Sequence, residues 1–213
     1  MKSVILTSAY LAPIQYYAKL YAATHVVEER YDHYVKQTYR NRCVIAGPNG
    51  AQALTFPIEH AELLKPCTKD IRLSDHGNWR HLHWNALQSA YDNSPYFEYY
   101  ADDFRPFYEQ KYDFLVDFNE DLRAMVCGLL GLYPQIEHTT AYANADDFGA
   151  VDFRETIRPK LDFQKDITFC SVPYYQVFAQ KNGFLPNLSI VDLLFNMGPE
   201  ARLVLRDSTV AVE

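Results

Sequence analysis

Apolar positions along this chain follow two different periods, and the places where the period changes mark out its elements. Ser3–Ala9 (SVILTSA) is an almost continuous apolar run, the pattern of a strand buried on both faces. Pro13 then stands where a first helical turn tolerates proline. Ile14, Tyr17, Leu20 and Tyr21 recur at helical spacing, which predicts a helix over Pro13–Ala23. His25–Glu29 reads as a short second strand. Val44–Ala46 and Ala53–Ile58 read as a β-hairpin around Gly47-Pro48-Asn49-Gly50, with Asn-Gly supplying residues that tolerate positive φ. A further strand is expected at Asp70–Leu73. After the turn Ser74–Asn78, a helix over Trp79–Tyr91 places Leu82, Ala86 and Leu87 on one face.

From Ser94 the character changes. Ser94–Tyr100 is aromatic and polar, and packing of a helical annex is the expected reason. Tyr112–Leu130 carries the strongest helical stripe, through Leu115, Phe118, Leu122, Met125, Val126 and Leu129, and Gly131 can end it. His138–Phe148 reads as loop and Pro173–Lys181 as a short helix. Ile190–Phe195 reads as a last apolar helix, capped by Asn187 or Ser189 and stopped by Asn196 and Gly198. The expected fold class is α/β: a strand-rich N-terminal half with a β-hairpin and a mixed sheet, and a helical C-terminal half. Residues 1–213 are expected to form a single unit, with 1–93 its α/β portion and 94–213 its mainly helical portion.

Charge and composition narrow the function classes. A net charge of −7 without a Lys/Arg block argues against general nucleic-acid binding, where neutralising phosphates dominates affinity. Cys43, Cys67, Cys127 and Cys170 form no Cys-x-x-Cys pair and read as free thiols. The first apolar run is too short for a signal-peptide core, and no window approaches the ~18 apolar residues of a membrane span. A cytoplasmic location is the expectation. The turn after the first strand, Ala9–Pro13, has no Gly-rich fingerprint, so no dinucleotide or Walker motif is present and no cofactor is expected.

Candidate chemistry gathers at Tyr39-Arg40-Asn41-Arg42. Two guanidiniums one residue apart suit a carboxylate or phosphate, because the planar fork binds two oxygens at once. If Tyr39–Ile45 is extended, Arg40 and Arg42 share a face, beside a concavity lined by Tyr10 or Tyr39. Pairing with Glu28, Glu29 or Asp32 on the surface is the alternative. Arg154, Arg158 and Lys160 form a second candidate anion site. His83, oriented by Asp32 or Asp75, is a candidate base, with His81 as its rival. His81-x-His83 in a helix points its rings ~200° apart, so no metal site is expected.

Four stretches in order resemble the WbqC-like family of bacteria: AYLAPIQYYAKL at Ala9–Leu20; KQTYRNRCVI with LTFPI at Lys36–Ile45 and Leu54–Ile58; the Trp79, His83, Leu87 pattern followed by SPYFEYY; and NLSIVDLLFNMG at Asn187–Gly198. The first turn departs from the family's pattern at Ala12 and Ile14, and Tyr31–Tyr34 departs before the arginines. The resemblance implies a cytoplasmic protein linked to O-antigen and other surface-glycan gene clusters. It implies transfer of an acyl or aminoacyl group to a nucleotide-activated amino sugar. Arg40, Arg42, Tyr39, Tyr10 and Asn41 would hold the small anionic substrate, and His83 and Asp32 would act on it. A non-catalytic binding or assembly protein of the same pathway is the alternative, and a homo-oligomer stays open.

Overall fold

A computed structural model describes residues 3–59 and 65–210. Its strands are β1 (Ser3–Thr7), β2 (His25–Glu29), β3 (Arg42–Gly47), β4 (Gly50–Thr55), β5 (Ile136–His138) and β6 (Ala150–Asp152). Its helices are α1 (Ile14–Ala22), α2 (Trp79–Tyr91), α3 (Phe97–Glu109), α4 (Leu115–Leu129), α5 (Ala179–Asn182), α6 (Ile190–Met197) and α7 (Ala201–Asp207). The fold is α/β, with the hairpin in the N-terminal half and helices dominating the C-terminal half. Parallel and antiparallel pairings fall in two separate sheets. One is a parallel sheet in the order β5-β2-β1-β6, and the other is the β3-β4 hairpin.

The side-chain alternation of a strand explains how the parallel sheet is covered. Val4, Leu6 and Val26 face the main core, while Ile5 and Val27 point the other way, onto Ala143, Ala145, Phe148 and Ala150. The outer strands β5 and β6 are three residues each and flank the stretch read as loop. So short a strand carries no period of its own, and pairing with β2 and β1 is what defines it. Asp70–Leu73 is not a strand: Thr68–Asp70 is a 3-10 turn, and Arg72 and Leu73 make only isolated bridges to Phe114 and Ile58. In the hairpin, Gly47 pairs with Gly50, so the loop is Pro48-Asn49 and only Gly50 adopts a positive φ, of 106°.

Two helices differ from expectation for identifiable reasons. On α2 the buried face is Trp79, His83, Leu87, Ala90 and Tyr91, whereas Leu82 is 59% exposed. Pro173–Lys181 is not a helix; only Ala179–Asn182 is helical. Tyr174 and Gln176 both reach the same oxygen of Asp192, at 2.5 and 2.9 Å. Two side chains two residues apart share a side on extended backbone and not on a helix.

Helix α6 is the centre of the packing. Ile190, Leu193, Leu194 and Phe195 have no exposure, and Ser189 caps the first turn. Its Asp192 is also fully buried, and the Tyr91 hydroxyl donates to its second oxygen at 2.8 Å. Burial pushes this carboxyl up from the ordinary carboxylate range, and the three donors pull it back. The turn ahead of α6 holds the segment after β1. Ser189 donates its hydroxyl to the Leu11 carbonyl at 2.6 Å, and the Ile190 N–H donates to Ala12 at 2.9 Å. Leu11, buried and at φ 38°, is kept in the left-handed region by these bonds. At the far end Gly198 sits at φ 53° with the Tyr96 ring so close that a Cβ would lie 2.5 Å from it.

Leu194→Ala is expected to destabilise the protein by about 2–5 kcal/mol through cavity formation. Asp192→Ala is expected to cost about 3 kcal/mol or more, because it strands three buried donors, and Asp192→Asn less, because one acceptor survives. Urea denaturation of the three variants measures both.

Candidate functional site

The residues singled out around Tyr39–Arg42 separate into three environments. Strand β3 begins at Arg42, so Arg40 lies in the preceding turn and the two guanidiniums do not share a strand face. Arg40 is 1% exposed and is paired with Asp32. Asp32 also accepts from the Thr68 hydroxyl at 2.5 Å, and Arg40 donates to Thr38 at 3.2 Å. The Arg40 carbonyl accepts from the Asn119 amide at 2.8 Å. Of the alternative partners named for the arginines, Asp32 is the one that Arg40 takes.

Arg42 and Asn41 instead line an open pocket of about 400 Å³ on the hairpin, with Tyr34, Lys36 and Thr55. The Arg42 Nε donates to the Thr55 hydroxyl at 2.9 Å. The Asn41 amide donates to the Phe56 carbonyl at 2.7 Å, which pins the return strand beside it. Among the described residues no Asp or Glu lines this pocket, and neither Arg42 nor Lys36 has a carboxylate partner. Burial raises the Tyr34 phenol while Arg40 lowers it. An acid-free wall carrying two cations can bind the oxygens of a phosphate or carboxylate.

Tyr10 and His83 form the third environment, behind the hairpin. The Tyr10 hydroxyl lies 3.0 Å from His83 Nδ1 and 2.8 Å from the Tyr108 hydroxyl. His83 is 4% exposed and Tyr10 fully buried. Burial lowers the His83 pKa from 6.5 to about 4, with the Thr55 backbone beside the ring opposing. The imidazole is therefore neutral at physiological pH.

Neither carboxylate named as its orienting group touches His83. Asp32 is held by Arg40, and Asp75 by Arg80 and Lys111, which lower its pKa. Tyr10 is the group that orients the ring. Tyr39 is buried, its phenol pushed up to about 12 by burial, and it contributes its carbonyl, which accepts from the Tyr10 N–H at 2.8 Å. Phe56, Trp79 and Phe118 surround the pair, with ring centroids 4.9 to 5.7 Å apart.

His81, by contrast, is exposed on α2 and its Nε2 accepts from the Asn85 side-chain amide at 2.9 Å, so the two histidines face apart as their spacing requires. Among the described residues no group of His, Cys, Asp and Glu is placed to hold a metal. The four cysteines are free thiols, and no described helix is long and apolar enough to cross a membrane. The second arginine group is structural in its contacts. Arg154 is buried against Glu29 and Asp152 at the end of the parallel sheet, and Arg158 pairs with Glu155. The sequence reading passed over Lys36, Thr55 and Tyr108. Lys36 lies in the same KQTYRNR run and was legible by charge alone. The other two depend on contacts between distant segments.

The chain belongs to the WbqC-like protein family, whose model matches residues 8–157 and 154–204. It is 28% identical over 196 residues to the uncharacterized protein Rv1507c of Mycobacterium tuberculosis (strain ATCC 25618 / H37Rv), a match covering 81% of this chain and 84% of that protein. No solved structure matches the chain significantly.

The buried neutral histidine has a pH consequence. Its folded pKa lies below its unfolded one, so below about pH 6.5 the unfolded state takes up the proton first and stability falls with pH. This group alone is expected to remove about 2 kcal/mol by pH 5 and about 3 kcal/mol by pH 4. Denaturant unfolding across that range should show a shallower pH dependence in His83→Gln, by about those amounts.

Proposed function

From its membership of the WbqC-like family, we propose that this protein is a cytoplasmic transferase of surface-polysaccharide biosynthesis. It acts on a small anionic substrate of the nucleotide-activated amino sugar class. The observation that carries the reading is the hairpin pocket: among the described residues, Arg42 and Lys36 have no carboxylate partner and no Asp or Glu lines the wall, in a chain of net charge −7. Arg42 and Lys36 hold the anionic group, Asn41 fixes the pocket wall, and Tyr34 packs against the sugar. Arg40 and Asp32 act as positioning residues beneath the wall. His83 likewise positions: its ring lies beside the Thr55 backbone, and the Thr55 hydroxyl holds Arg42.

Burial of His83 favours a second reading, in which the pocket binds the same anion without turnover. Product formation from a nucleotide-activated amino sugar and an acyl donor separates the two.

Calorimetric titration with a panel of nucleotide sugars tests the shared claim. Arg42→Ala is expected to weaken binding by about 1.5–3 kcal/mol, the scale of a charge-assisted hydrogen bond. Arg42→Lys should restore little of it, because an ammonium lacks the planar fork. Arg40→Ala is expected to act on stability instead, at about 3 kcal/mol, because it strips the half-enclosed Asp32 of its cation. Unchanged affinity in Arg42→Ala, for a ligand the native protein binds, would overturn the assignment.

A further inference from the structure

The chain has two tryptophans, Trp79 and Trp84, and both line a cavity of about 380 Å³ between α2 and the end of α3. The cavity shares no lining residue with the Arg42 pocket. Trp84 is partly exposed there, packed against Tyr108 with ring centroids 5.7 Å apart. Three cations line it, Arg80, Arg105 and Lys111, against two carboxylates, Asp75 and Glu109.

These charges do not cancel in place. Asp75 is committed to Arg80 and Lys111, at 2.5 Å each. Arg105 is exposed, has no carboxylate partner among the described residues, and lies 5.8 Å from the Trp84 ring centroid. Glu109 is also exposed and has no cation partner among them. Arg80 lies 4.7 Å from the Trp79 ring centroid, and its Nε and Nη2 are buried with no acceptor. A buried donor left unmade is costly, so two such atoms on a cavity-lining guanidinium mark unused binding capacity.

An aromatic wall, a free carboxylate and a set of guanidinium and ammonium donors are the complements of three chemical parts. A flat heterocycle stacks on the indole. Vicinal hydroxyls donate to the carboxylate. A phosphate accepts from the cations. We propose that this cavity is a second ligand site and that it takes a nucleoside phosphate. The base stacks beside Trp84, the ribose hydroxyls donate to Glu109, and the phosphate accepts from Arg105 and Lys111. Arg80 turns about its Asp75 contact to add its spare N–H groups. The inference does not rest on the Arg42 pocket, although a group-transfer reaction needs two substrates and this cavity would hold one of them.

Because both tryptophans lie at the cavity, intrinsic fluorescence reads this site directly. The native protein, Arg105→Ala and Arg42→Ala are titrated with UDP and ADP, with excitation at the red edge of tryptophan absorption. Uridine, adenosine and inorganic pyrophosphate serve as the partial ligands. The proposal expects a saturable change with at least one nucleotide. It expects affinity about tenfold or more weaker for each partial ligand and for Arg105→Ala, and an undiminished response in Arg42→Ala. Absence of a saturable response to either nucleotide at millimolar concentration would overturn it. So would equal affinity for pyrophosphate, indifference to Arg105→Ala, or loss of the response in Arg42→Ala. That last outcome would place the ligand in the hairpin pocket and leave the proposed function standing.

Discussion

The hydrogen bond between Tyr10 and His83 joins the segment after β1 to α2, two pieces of chain 73 residues apart. It has to be kept dry. An imidazole and a phenol buried together cost several kcal/mol unless each polar atom is satisfied. Here His83 Nδ1 bonds the Tyr10 hydroxyl, and Tyr108 completes the chain of hydroxyls. Phe56, Trp79 and Phe118 close off water around them. Losing any member leaves another buried group unpaired, so the cluster is satisfied as a whole or not at all.

Much of the fold serves that condition. Tyr10 reaches inward because the next residue, Leu11, is left-handed, and Leu11 stays so because Ser189 and the start of α6 grip the segment from behind. Asp192 fixes α6 in turn, through Tyr91 on α2 and through Tyr174 and Gln176 on the irregular segment before α5. The Tyr91 hydroxyl also accepts from the Ala46 N–H at 3.2 Å, tying the hairpin to the same helix. The result is a rigid wall of Phe56, Trp79 and His83. The hairpin pocket opens beside Thr55 and Phe56, and the tryptophan cavity opens beside Trp79 and Tyr108. Fixed walls of this kind let side chains at the rim hold a ligand without first being ordered.

The sequence was most legible where an element's own residues determine it. The strand His25–Glu29 and the helix Trp79–Tyr91 fall where their patterns place them, and α6 begins at Ile190, directly after its Ser189 cap. It was least legible where a distant partner decides. β5 and β6 exist because β2 and β1 offer edges. Helix α3 buries Phe97, Phe104 and Tyr108 at helical spacing, but the aromatic and polar run at its start and Pro106 within it mask that pattern. The same divide runs through the site. The charge of Arg40 and Arg42 is plain in the sequence, but Asp32, contributed from eight residues upstream, draws one of them inward. His83 stands out as a residue type, yet burial sets its protonation, and a tyrosine from the opposite end of the N-terminal half orients its ring.

The protonation of His83 tests this account most directly, by nitrogen-15 NMR of the imidazole in the native protein. Between pH 6.5 and about 5 the account requires a neutral ring, with Nδ1 hydrogen-bonded to the Tyr10 hydroxyl. A His83 ring that becomes doubly protonated near pH 6.5 would contradict it.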